Sequence, residues 1–106
     1  MNLTTKIAEF SQGNPGAMNF LLGMVKYGAQ NPEKQIKVTK SFKAIEDSLI
    51  ILRGWRLYVL FNDICERDYD DVLKLLLTCP RDLLEDACNR QDRSGKEMVK
   101  KYLEHE

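Results

Sequence analysis

Between Trp55 and Ile64 the chain is apolar on almost every side. Trp55, Leu57, Tyr58, Val59, Leu60, Phe61 and Ile64 crowd the segment, and its charged residues, Arg56 and Asp63, fall on one narrow stripe. A helix of this kind is buried at the centre of a bundle or in an interface, because a water-facing helix needs a wide polar face. The rival reading is a hairpin of 49–53 against 55–61 around Gly54, but a one-residue connection is tighter than the favoured hairpin turns allow. The segment is also far short of the ~18 apolar residues of a membrane span, and no other window of the chain approaches that length.

The rest of the chain supplies helices to surround it. Leu3, Ile7 and Phe10 recur at helical spacing, which predicts a short first helix over 3–10. Asn14 is placed to cap a second helix with Pro15 at its first position, and Ala17, Phe20, Leu21, Met24, Val25 and Gly28 form its apolar stripe, Gly28 being the expected C-cap. Residues 29–41 show no apolar period and open with Asn31-Pro32, so they read as a long loop. A third helix is expected from near Ser41 through Phe42 and Ile45. Leu49-Ile50-Ile51-Leu52 fits either its end or a buried strand. Three more helices follow. Asp68 caps one carrying Tyr69, Val72, Leu73, Leu76 and Leu77; Pro80 opens one burying Leu83, Leu84, Ala87 and Cys88; Ser94 caps the last, with Met98, Val99, Tyr102 and Leu103. The expectation is an all-α fold, a compact single-domain bundle of residues 1–106 with about six to seven short helices.

Composition narrows the function classes. The 106 residues carry 16 basic and 16 acidic side chains, so no net charge draws the chain to nucleic acid or anionic lipid. Cys65, Cys79 and Cys88 are an odd number without Cys-x-x-Cys spacing, and Met1–Lys6 lacks a secretory apolar core, which together predict a cytoplasmic protein with free thiols. His105, the single histidine, stands next to the end, a poor place for a metal ligand or a catalytic base. With no phosphate-cradling or nucleophile-elbow motif either, the sequence predicts no enzyme, no cofactor and no metal.

Two stretches, Ser11-Gln12-Gly13-Asn14-Pro15-Gly16-Ala17 and Trp55-x-x-Tyr58-x-x-x-Asn62-Asp63-Ile64-Cys65, resemble a type of small uncharacterised protein met in bacteriophage and prophage genomes. The resemblance implies a phage-related role in a bacterial host's cytoplasm and assigns no catalytic residue.

Several surface features are candidate sites. Gly13, Asn14 and Gly16 open a helix whose free amides could hold a small anion, nucleotide-like in chemistry, with Arg53 as a clamp. Lys34, Lys37, Lys40 and Lys43 recur every three residues, and with Trp55 and Tyr58 as aromatic anchors they are the candidate partner-binding set. Residues 1–53 hold seven basic against four acidic side chains and residues 54–106 nine against twelve, a split suited to self-association or to a charged partner. Asp63, Glu66, Asp68, Asp70 and Asp71 cluster without the spacing of a calcium loop. Residues 69–77 and 81–90 outline a helix-turn-helix, yet Asp82, Glu85 and Asp86 oppose Arg81, Arg90 and Arg93, which makes a poor DNA reader. The leading expectation is a non-enzymatic, phage-associated protein that binds a protein partner or itself, host-defence inhibition being one such job. A small-anion binder is the alternative, and weak DNA binding a further one.

Overall fold

A computed structural model describes residues 3–47, 54–66, 68–90 and 93–104. Among these the protein is all-α. It comprises α1 (Leu3–Ser11), α2 (Pro15–Gln30), α3 (Gln35–Asp47), α4 (Gly54–Cys65), α5 (Tyr69–Thr78), α6 (Arg81–Arg90) and α7 (Arg93–Glu104), with a 3₁₀ turn at Pro32–Lys34 between α2 and α3. The Cα radius of gyration, 12.6 Å, is that of a packed globule of this length, about 13 Å. Residues 49–52 and Arg53 lie outside the described residues, as does the side chain of Trp55.

The region expected to be a loop at 29–41 is instead almost wholly helical. Helix α2 runs past Gly28 to Gln30, Asn31 alone makes the break, and Pro32 starts the turn that leads into α3 at Gln35. Two features hid this. Only Val38 marks the buried face in the first turns of α3, and the next core position is taken by a serine, Ser41, before Phe42 and Ile45 restore the apolar pattern. Gly28 is not a C-cap but a contact point. A Cβ there would lie 3.1 Å from a Val38 methyl, so the bare backbone lets α3 close onto α2.

The α1–α2 junction is built as its residues require. Gln12 and Gly13 both adopt positive φ, 51° and 79°, which turns the chain sharply and costs glycine nothing. The Asn14 side chain then accepts from the Ala17 amide at 3.0 Å as the N-cap of α2. At α5 the Asp68 carboxylate accepts from the amides of Asp70 and Asp71 at 3.1 and 3.4 Å. Ser94, expected as the cap of the last helix, sits one residue inside it, since α7 begins at Arg93.

Helix α4 takes the central place that its apolar faces dictate, packing against α1, α2, α5, α6 and α7. Leu57, Leu60, Phe61 and Cys65 of α4 meet Phe10, Phe20, Leu21, Met24, Phe42, Ile45, Val72, Leu73, Leu75, Leu84, Cys88 and Val99 in one continuous core. Phe10 and Phe42 stack with ring centroids 6.3 Å apart, tying α1 to α3. Around the rim, exposed ion pairs join the helices: Lys6–Glu46 at 2.7 Å between α1 and α3, and Lys96–Asp63 at 2.6 Å between α7 and α4. Pairs so accessible to water add little stability.

Candidate functional site

The start of α2 offers an anion less than the sequence promised. Of its four leading donors, Pro15 has no N–H, the Ala17 amide is taken by the Asn14 side chain, and the Met18 amide by the Asn14 carbonyl at 3.0 Å. The Gly16 amide alone is left in that turn. Gly16 itself has a packing role, for a Cβ there would come within 2.7 Å of the Tyr58 ring. The structure therefore brings Gly16 and Tyr58 together, two residues read from the sequence as parts of separate sites.

Their meeting point belongs to a larger feature. Gly16 and Gly23 lie on one face of α2, two turns apart, and each leaves room for a tyrosine from another helix: Tyr58 of α4 and Tyr69 of α5. At Gly23 the fit is tighter still, a Cβ falling 1.9 Å from the Tyr69 hydroxyl oxygen. Phe20 lies between the two glycines, and the four rings form a row. Tyr58–Phe20, Phe20–Tyr69 and Tyr69–Tyr27 centroids are separated by 6.0, 5.9 and 5.8 Å. These spacings lie in the range of interacting aromatic pairs. The Tyr69 hydroxyl donates to the Phe20 carbonyl at 3.2 Å and pins the row to the α2 backbone. Over its Tyr58 end opens a cleft of about 300 Å³, lined by Gly16, Asn19, Phe20, Tyr58, Asn62 and Tyr69. Sequence reasoning took Phe20 and Tyr69 for core, passed over Asn19, and named Asn62 in the α4 motif without giving it a site role. The signal was present as two spacings, Gly16-x-x-Asn19 and Tyr58-x-x-x-Asn62, each placing an amide one helical turn from a residue of the Gly–Tyr contact.

At the other end of the row the Tyr27 hydroxyl donates to Asp70 Oδ1, and Lys34 Nζ lies 3.3 Å from the same oxygen. The bond to ionised Asp70 holds the Tyr27 phenol protonated up to about 12, with burial as a second cause. The same hydroxyl, then Lys34, hold the Asp70 carboxyl below its usual range. Lys34 is thus engaged with α5. The other candidate lysines, Lys37, Lys40 and Lys43, stand exposed on α3. Val38, Ser41, Phe42 and Ile45 are its buried face; opposite them Ile36, Lys40, Lys43 and Asp47 fall on one stripe, with Lys37 at its flank. Ile36 is 69% exposed, more than Leu22, Met98 or Leu77.

The described cysteines and most of the acidic cluster are buried or locally engaged. Burial pushes the thiols of Cys65 and Cys88 up to about 12 and that of Cys79 up to about 11. At neutral pH they are small core hydrophobes rather than nucleophiles. The acidic cluster is divided among local tasks, Asp68 capping α5, Asp70 paired with Tyr27 and Lys34, and Asp63 with Lys96. Among the described residues no group of three or more His, Cys, Asp or Glu side chains could hold a metal ion. Helices α5 and α6 make their main contacts elsewhere, α5 with α3 and α7, α6 with α7 and α4. A helix-turn-helix reader needs the two packed as one unit. No protein-family model, no curated protein and no solved structure matches the chain.

Proposed function

We propose that this protein acts without catalysis, by docking an acidic protein partner on the outer face of α3. The observation that carries this reading is Ile36, a large aliphatic side chain left 69% exposed directly opposite the helix's buried stripe. Lys40 and Lys43 share its stripe and Lys37 flanks it, against two exposed carboxylates, Glu33 one turn before Ile36 and Asp47 three turns after it. An apolar anchor inside a cationic rim has a complement, an apolar pocket edged with carboxylates. The anchor gives affinity and the lysines give orientation and speed of encounter. Full burial of one isoleucine contributes roughly 1.5–3 kcal/mol, enough to make it the centre of a small interface. The inert thiols support the non-catalytic half of the reading.

The resemblance of the Ser11–Ala17 turn and the α4 motif to small phage proteins makes the partner, in this proposal, a protein of the bacterial host cytoplasm. Interference with a host defence protein is the use such docking would serve. The test immobilises the wild type and Ile36→Asp and exposes both to host cytoplasm. An acidic protein retained by the wild type, released by moderate salt and lost from Ile36→Asp is expected. Equal retention by both, with the variant's circular dichroism unchanged, overturns the reading. Sedimentation velocity on the pure chain separates the self-association alternative, in which Ile36→Asp would instead convert an oligomer to a monomer.

A further inference from the structure

The cleft above the aromatic row has four properties that together select a ligand. It is concave and small, about 300 Å³, the lower end of the range for sites that hold small molecules. One side is aromatic, from Phe20, Tyr58 and Tyr69. The lining also includes two exposed carboxamides, Asn19 of α2 and Asn62 of α4, and neither side chain has a hydrogen-bond partner among the described residues. None of the described lining residues is charged. The depression between α6 and α7, lined by Leu83, Met98, Lys101 and Tyr102, lacks this pairing of stacked rings with free amides.

We propose that this cleft binds one uncharged nucleobase-type ring, a purine nucleoside being the ligand class. The partly exposed rings of Tyr58 and Tyr69 supply an aromatic surface, which any base can use. A carboxamide presents a donor and an acceptor side by side, the complement of the N6/N7 edge of adenine. A purely apolar ring would make no use of the Asn19 and Asn62 amides, and a phosphate would meet no cation among the described lining residues. The floor is set before any ligand arrives. Tyr69 is held by its bond to the Phe20 carbonyl at 3.2 Å, and Tyr58 is seated against Gly16. Little ordering of the wall therefore accompanies binding. This site lies apart from the α3 face and stands or falls without it.

The test is an NMR titration of the full chain, ¹⁵N-labelled, with adenosine up to about 10 mM, where even a weak fragment-like ligand registers. Saturable shifts of the Asn19 and Asn62 side-chain amides, with the Gly16 backbone amide moving alongside, are expected. Phenol and inorganic phosphate at the same concentration should leave these signals in place. Asn62→Ala, an exposed position, should weaken adenosine at least about tenfold with the spectrum otherwise folded, and Asn19→Ala serves as a second variant. Unmoved amides with adenosine overturn the proposal. So does phosphate reproducing the shifts, or wild-type affinity in both asparagine variants.

Discussion

The cleft on α2 and the outer face of α3 are made in opposite ways. The cleft comes from missing side chains: Gly16 and Gly23 open sockets that tyrosines from α4 and α5 enter, and the walls belong to three helices distant in sequence. The α3 face comes from exposed side chains, all from one helix. A hollow assembled from three helices depends on packing, so substitutions at the glycines and rings that shape it should act on stability. A projection from one helix does not, and changes there should alter binding alone.

The largest expected contrast lies within α3 itself. Phe42→Ala empties a 1%-exposed ring position stacked on Phe10 and should cost about 3–5 kcal/mol in urea unfolding. Next comes Gly23→Ala. Alanine ordinarily stabilises a helix interior by about 1 kcal/mol relative to glycine. Here the added methyl meets the Tyr69 hydroxyl, so the sign should invert, with a loss of about 1–3 kcal/mol from overpacking. A melting temperature lowered by about 4 °C per kcal/mol would show it. A rise would mean Tyr69 swings free and the row is not rigid.

Much of this architecture was legible in the sequence and some was not. The centrality of α4, the Asn14 and Asp68 caps and the stripe of α2 all followed from periodicity and cap chemistry. What failed was α3, because a lone Val38 and a buried serine conceal an amphipathic helix among lysines. Ser41 is fully buried, and its hydroxyl has no hydrogen-bond partner among the described residues. The cleft escaped for a different reason. Local spacing announces which residues share a helix face, but not that Gly16, Tyr58 and Tyr69 converge. The free amides of Asn19 and Asn62 acquire meaning only once that convergence is seen.

Smaller effects sharpen the comparison. Ser41→Ala removes a buried hydroxyl with no hydrogen-bond partner among the described residues and should stabilise the chain by about 1 kcal/mol; destabilisation would point to a partner for the hydroxyl. The Tyr27–Asp70 bond makes a pH prediction at both ends. The Tyr27 pKa is raised by folding, so its contribution is complete below pH 10 and is lost as pH climbs from 10 through about 12. The Asp70 pKa is lowered by folding, so its contribution is complete above pH 3.8 and disappears as pH falls through the depressed value. Tyr27→Phe should flatten both limbs of the stability–pH curve, whereas an unchanged curve would mean that the bond is not kept in solution. The smallest effect belongs to the projecting face. Ile36→Ser should change stability by less than about 0.5 kcal/mol, as surface positions do.

The most direct test of the docking face is site-specific photo-crosslinking in bacterial cells, with a photoreactive residue at position 36 and, as a control, at position 22. Leu22 is also exposed, at 48%, but lies on α2 away from the lysine stripe. A discrete adduct with an acidic protein from position 36, absent from position 22 and abolished by Lys40→Glu with Lys43→Glu, is the predicted result. The same adducts from both positions, or an adduct from position 36 that survives charge reversal, would contradict it.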